Sequence, residues 1–151
     1  MKIRTKFFGE IEIESEKALA FPEGLLGFEE EKEFVVLPIE GNPVFKVLQT
    51  TNTEYVAFVI ADPWCFYKEY DIQVPDESLK SIEVQNREEL SVASIVTLAD
   101  RLEDSTVNLL APILVNTEKN LGKQFVLSDG AYHTKHKLGS LQAQGDQCAD
   151  S

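Results

Sequence analysis

Leu109–Val115 is an apolar run with a proline, Pro112, at its centre. No other stretch restricts the fold as much. The run is too short to span a bilayer and too interrupted for a helix. A proline cannot donate to a β-ladder, so an apolar strand that contains one belongs at a sheet edge or a bulge. Asn108 and Asn116 bracket the run. Their side chains can bond to nearby backbone and favour chain reversal on either side. Asn108–Gln124 therefore reads as a core strand followed by a polar turn that ends in Gly122-Lys-Gln124.

The rest of the chain also breaks into short strands. Lys2–Phe8 alternates Ile3, Thr5 and Phe7 with Lys2, Arg4 and Lys6, and Glu10–Glu14 alternates Ile11 and Ile13 with glutamates. Joined at Gly9, they predict a hairpin whose outer rows carry opposite charge. Phe21–Phe28 reads as a tight loop, with Gly24 and Gly27 turning and Leu25, Leu26 and Phe28 pinning it to the core. Glu29–Glu33 is a charge run expected to be a solvated face or a helical turn. Strands are expected at Glu33–Pro38, Val44–Thr50, Tyr55–Ala61, Asp71–Val74, Leu90–Leu98 and Gln124–Leu127. Pro75 and the acids after it mark the start of a short helix, followed by a polar turn at Asn86–Glu89. Many short strands with brief helices predict an all-β fold: a small, antiparallel, β-barrel-like single domain over residues 1–138. Residues 139–151 are small and polar, and read as a frayed tail.

At 151 residues the chain is long enough for one real core. Its net charge of −12 repels nucleic-acid phosphates and anionic membranes, and favours encounter with a basic partner protein. The first residues carry charge without the apolar region of a signal peptide, and Cys65 and Cys148 lie far apart. A cytoplasmic protein without a disulfide framework is the expectation.

Chemistry-bearing motifs are few. His133 and His136 have a spacing that a helix could turn into a metal site, but lysines flank them and no further ligand accompanies them, so surface histidines are expected. Cys65 has no evident basic partner and reads as structural. Gly24 and Gly27 lack the spacing and the Lys-Ser/Thr of a phosphate loop. No catalytic, cofactor-binding or metal-binding residue is assigned. The aromatic segment Trp64–Tyr70, beside Glu69, Asp71, Asp76 and Glu77, could instead make an interface anchor with an acidic rim.

Taken in order, Phe21-Pro-Glu-Gly-Leu-Leu-Gly-Phe-Glu29, Phe45-Lys-Val-Leu-Gln49, the Phe58–Pro63 strand end, Tyr70, Ile95-Val96 and Asn108–Asn116 with Gln124 resemble the FliW family of bacterial flagellar assembly factors. The resemblance runs from about Ile3 to Leu138. It implies a non-enzymatic β-barrel-like protein without cofactors. Its implied partners are the RNA-binding translational repressor CsrA and flagellin, bound in mutually exclusive fashion. Partner contacts are then expected at Phe45, Val47, Gln49, Trp64, Phe66, Tyr67, Glu69 and Asp71. Truncating Trp64 should weaken binding and barely move the melting temperature. The alternative is a small-molecule-binding or hydrolytic β-barrel, which requires an enclosed cavity with convergent polar groups.

Overall fold

Lys2–Thr5 (β1) and Gly9–Glu12 (β2) form the hairpin that the alternation predicts. The register sets Lys2 across from Glu12 and Arg4 across from Glu10, so the oppositely charged rows do face each other. β1 stops before Phe7 because Thr5 closes the turn. Its hydroxyl donates to the Gly9 carbonyl at 2.7 Å and accepts from the Phe8 amide at 2.9 Å. Gly9, at φ +69°, takes the left-handed position that a side chain would strain.

This computed structural model describes residues 1–128 and 130–138, so the reading of 139–151 as a tail lies outside the described residues. After the hairpin come β3 (Leu19–Ala20), β4 (Glu33–Ile39), β5 (Asn42–Thr50) and β6 (Ala57–Ala61). A short helix, α1 (Asp76–Ser81), precedes β7 (Leu90–Thr97) and β8 (Thr106–Val107). Last are β9 (Ile113–Asn116), β10 (Leu121–Gln124) and β11 (His136–Lys137). The strands from β3 onward make one sheet in the order β11-β8-β7-β6-β5-β4-β3-β10-β9. An extra antiparallel pairing of β7 with β9 closes it into a barrel. The pairings are antiparallel except where Leu121 of β10 meets Ala20 of β3, a parallel bridge that sequence alternation cannot foretell.

The asparagine-bracketed proline run behaves largely as read. Asn108 accepts from the amides of Leu110 and Ala111, each at 3.0 Å. Asn116 accepts from Glu118 and Lys119 at 2.9 and 3.1 Å. Pro112 stands immediately before β9, outside the ladder, and its carbonyl accepts from Phe125 at 3.0 Å. The expected Gln124–Leu127 strand is shifted: β10 ends at Gln124, and beyond it Leu127 still bonds to the Leu110 carbonyl. Asp71–Val74 is not a strand. The Asp71 amide is taken by the Tyr132 hydroxyl at 2.9 Å rather than by a neighbouring strand.

Three apolar clusters hold the fold together. Inside the barrel, Phe34, Leu48, Ile60 and Ile113 pack with Leu19, Phe21 and Leu25. The Phe21 ring lies edge-on to Phe34, with centroids 5.1 Å apart. On the outer face of β5 to β8, Phe45, Ala61, Val96 and Val107 meet Phe66, Tyr70, Leu109 and Leu138. On the other side, Val35, Leu37 and Val47 receive the hairpin through Ile3, Ile11 and Ile13.

Candidate partner-binding surface

The aromatic segment is built as a cover for the second cluster. Asp62 ends β6 and caps a 3-10 turn over Pro63–Cys65, its carboxylate accepting from the Trp64 amide at 2.9 Å. Proline at the start of that turn presets its backbone. Phe66 stacks on Phe45 with centroids 6.1 Å apart. The Trp64 indole donates to the Tyr70 carbonyl at 2.7 Å, and the Tyr70 hydroxyl donates to the Leu109 carbonyl at 2.7 Å. Tyr67 donates to the Lys137 carbonyl, tying the segment to β11. Burial raises the Tyr70 pKa, with Tyr132 beside it adding to the effect, and burial raises that of Tyr67. Both phenols therefore stay protonated and keep donating.

The residues expected to contact a partner differ in their exposure. Phe45, Val47, Gln49 and Phe66 are buried and present no surface. Trp64 and Tyr67 are half-buried, each held by its polar atom; only Glu69 and Asp71 of that set are exposed. Gln49 in particular is fully enclosed. Its amide nitrogen lies within 3.3 Å of the carbonyls of Thr50, Thr53, Glu54 and Val56, and its oxygen accepts from the Lys6 amide at 2.9 Å.

The structure exposes a different set of large apolar side chains. Among them are Tyr55 at 75%, Leu26 at 58% and Phe7 at 51% exposure, with Phe8 and Phe28 also open to solvent. Of the three side chains expected to pin this loop to the core, Leu25 is buried and Phe28 sets its ring edge-on to Phe58, while Leu26 stands in solvent. Alternation could not reveal these positions, because a loop has no period to read. The neighbouring acidic run is also more than a solvated face: Glu31 accepts from the hydroxyls of Thr50 and Thr53 at 2.8 Å, and Glu33 from Thr51 at 2.6 Å.

The remaining candidates carry little chemistry. His136 accepts from the His133 amide at 2.8 Å and stacks on the His133 ring; burial, then His133, lowers its pKa. Among the described residues no group of histidine, cysteine and carboxylates could hold a metal ion. Cys65 is buried, as expected of a structural cysteine; Cys148 lies outside the described residues. A pocket of about 410 Å³, open to solvent, is lined by Leu19, Val36, Ile60 and Val115. Asp62, Thr117 and Asn120 also line it, but each already bonds to protein backbone. No helix among the described residues is long and apolar enough to cross a membrane.

Residues 2–138 match the family model described as FliW protein. The chain belongs to the FliW family. The flagellar assembly factor FliW of Geobacillus kaustophilus (strain HTA426) is 41% identical over 138 residues, covering 91% of this chain and 95% of that protein. The flagellar assembly factor FliW of Bacillus subtilis (strain 168) is 38% identical over 148 residues, covering 98% of this chain and 100% of that protein. A crystal structure of the flagellar assembly factor FliW superimposes with a TM-score of 0.87 at 39% identity, covering 91% of this chain and 96% of that one. The closed, mostly β architecture is thus the FliW fold, and the aromatic cover and asparagine brackets are parts of its scaffold here.

Proposed function

We propose that this chain is a cytoplasmic, non-enzymatic flagellar assembly factor. It binds the translational repressor CsrA and flagellin in mutually exclusive fashion and so relieves repression of flagellin translation. The observation that carries this reading is membership of the FliW family across residues 2–138, with relatives named flagellar assembly factors. The net charge of −12 supports it, because an RNA-binding repressor needs a basic surface. Two ligands that exclude each other on one protein make a stoichiometric switch: free flagellin sets how much factor remains for the repressor. A small-molecule or hydrolytic barrel is the weaker reading, since the pocket is open to solvent and Asp62, Thr117 and Asn120 on its wall each bond to protein backbone.

Titration calorimetry with purified CsrA and with purified flagellin tests the proposal. Each should bind with a Kd below about 1 μM, and saturating flagellin should abolish the CsrA heat. Raising the salt should weaken CsrA binding if acidic residues contribute. A folded protein that binds neither partner refutes the reading.

A further inference from the structure

Three loops at one end of the barrel carry exposed apolar side chains on backbone that polar anchors hold in place. The β1–β2 turn is fixed where Lys6 donates to the Gln49 side chain at 2.9 Å. The loop after β5 is fixed by the same side chain, whose amide nitrogen reaches the Glu54 carbonyl at 3.1 Å. One buried glutamine thus holds Phe7 and Phe8 on one side of it and Tyr55 on the other. The third loop, between β3 and β4, is pinned to the second. Glu31 accepts from Thr53 at 2.8 Å, and Phe28 sets its ring edge-on to Phe58 with centroids 5.1 Å apart. Its tip is held where Leu26 donates to the Gln124 side chain at 2.9 Å. Gly24, at φ +66°, is required there, because a Cβ would lie 2.6 Å from the Glu29 Cα.

Scattered exposed apolar residues are ordinary on a protein surface. Phe7, Phe8, Leu26, Phe28 and Tyr55 differ because their loops are tied to one another and their backbone is already ordered. A partner that docks there meets little further loss of loop entropy. Two of these loops carry exposed Glu29, Glu30 and Glu54, while Glu10, on β2, stands across from Arg4. Against these stand Lys6, placed 5.6 Å from the Phe7 ring centroid, and Lys32, which donates to the Pro22 carbonyl at 3.0 Å. The surface is apolar at its centre and acidic at its rim, the arrangement of a binding hot spot.

We propose that this loop end, centred on Leu26, Phe28 and Tyr55, is the docking surface for a basic, amphipathic segment of a partner protein. That segment inserts bulky apolar side chains between the loops and sets lysines or arginines against the glutamates. The inference rests on the reading of the chain as a binding factor for a basic repressor, and it moves the contact surface away from Trp64–Asp71.

The test uses the full chain and purified CsrA as the probe, with calorimetry for binding and circular dichroism for folding. Leu26→Ser with Tyr55→Ser, and separately Glu30→Lys with Glu54→Lys, should each weaken CsrA binding about tenfold or more. Both should keep the wild-type melting temperature to within a few degrees, since the altered side chains are exposed. Glu118→Lys, on the turn after β9 at the opposite end of the barrel, should leave the affinity unchanged. Wild-type affinity in both double variants overturns the docking surface while the assembly-factor reading stands. A loss confined to flagellin overturns the basic occupant. Failure of the wild-type protein to bind CsrA or flagellin refutes the underlying reading itself.

Discussion

Gly122 of β10 leaves no room for a methyl group. A Cβ built there would lie 2.5 Å from Cζ of Phe21 and 2.8 Å from both ε carbons of the ring. Ordinary contact begins near 3.4 Å, so the ring would have to retreat by about 1 Å. It has nowhere to go: Phe21 is fully buried and lies edge-on to Phe34. Overpacking of this kind costs roughly 1–3 kcal/mol, and the backbone gain of alanine over glycine in a strand offsets only about 0.5–1 kcal/mol. Gly122→Ala should therefore destabilise the protein by about 1–2 kcal/mol, a fall of roughly 2–8 °C in melting temperature for a domain of this size. Phe21→Leu alone should also destabilise, through lost contact area. Combined, the two changes should cost less than their sum by about 1 kcal/mol, because the smaller side chain leaves space for the new methyl. Urea denaturation of the four proteins in the cycle measures the coupling. Strict additivity would show that the close approach of Gly122 to Phe21 does not set the packing of the barrel interior.

Trp64→Ala should lower the melting temperature by several degrees, because it strips a half-buried ring from the outer cluster and leaves the Tyr70 carbonyl without its 2.7 Å donor. CsrA affinity of the folded variant should stay near wild type, and a binding loss without a stability loss would restore Trp64 as a contact residue. His136 has its pKa lowered in the fold by burial and then by His133, so the unfolded chain takes up the proton first. Its contribution is intact above the usual histidine pKa of about 6.5 and is lost as pH falls toward the lowered folded value. The urea midpoint should therefore fall between about pH 7.5 and 5.5, above the ordinary carboxylate range, and His136→Gln should reduce that fall. An identical fall in the variant would exclude His136 as its source.

Local chemistry was legible and long-range packing was not. The hairpin could be read because alternating charge and a glycine specify both strand and turn within a short window. Asn108 and Asn116 could be read because each bonds to amides two and three residues ahead, a pattern contained in the sequence itself. The family resemblance was legible for a similar reason: its marks are local motifs in a set order. Barrel closure was not, since the β7–β9 pairing and the β10–β3 bridge join segments that share no local signal. Gln49 shows the same limit. A polar residue at the end of a strand reads as exposed, yet here it is enclosed because two distant loops need its amide.

β5 shows how the chain covers the outer wall of its own barrel. Phe45, Val47 and Gln49 alternate along it and share its outward face, as contact residues would. Each is covered by a different piece of the chain. Phe66 stacks on Phe45, the β1–β2 hairpin packs against Val47, and the turns at Lys6 and Glu54 close over Gln49. From Phe45 to Gln49 that face of the strand is covered by the chain itself. It can still act as a support, because the cover over Gln49 is the same pair of loops that presents Phe7, Phe8 and Tyr55 to solvent. Under the proposed docking surface, recognition falls to the loop end, where polar anchors order the backbone that carries the apolar side chains. Without such anchors, side chains this apolar would collapse onto the barrel and bury themselves.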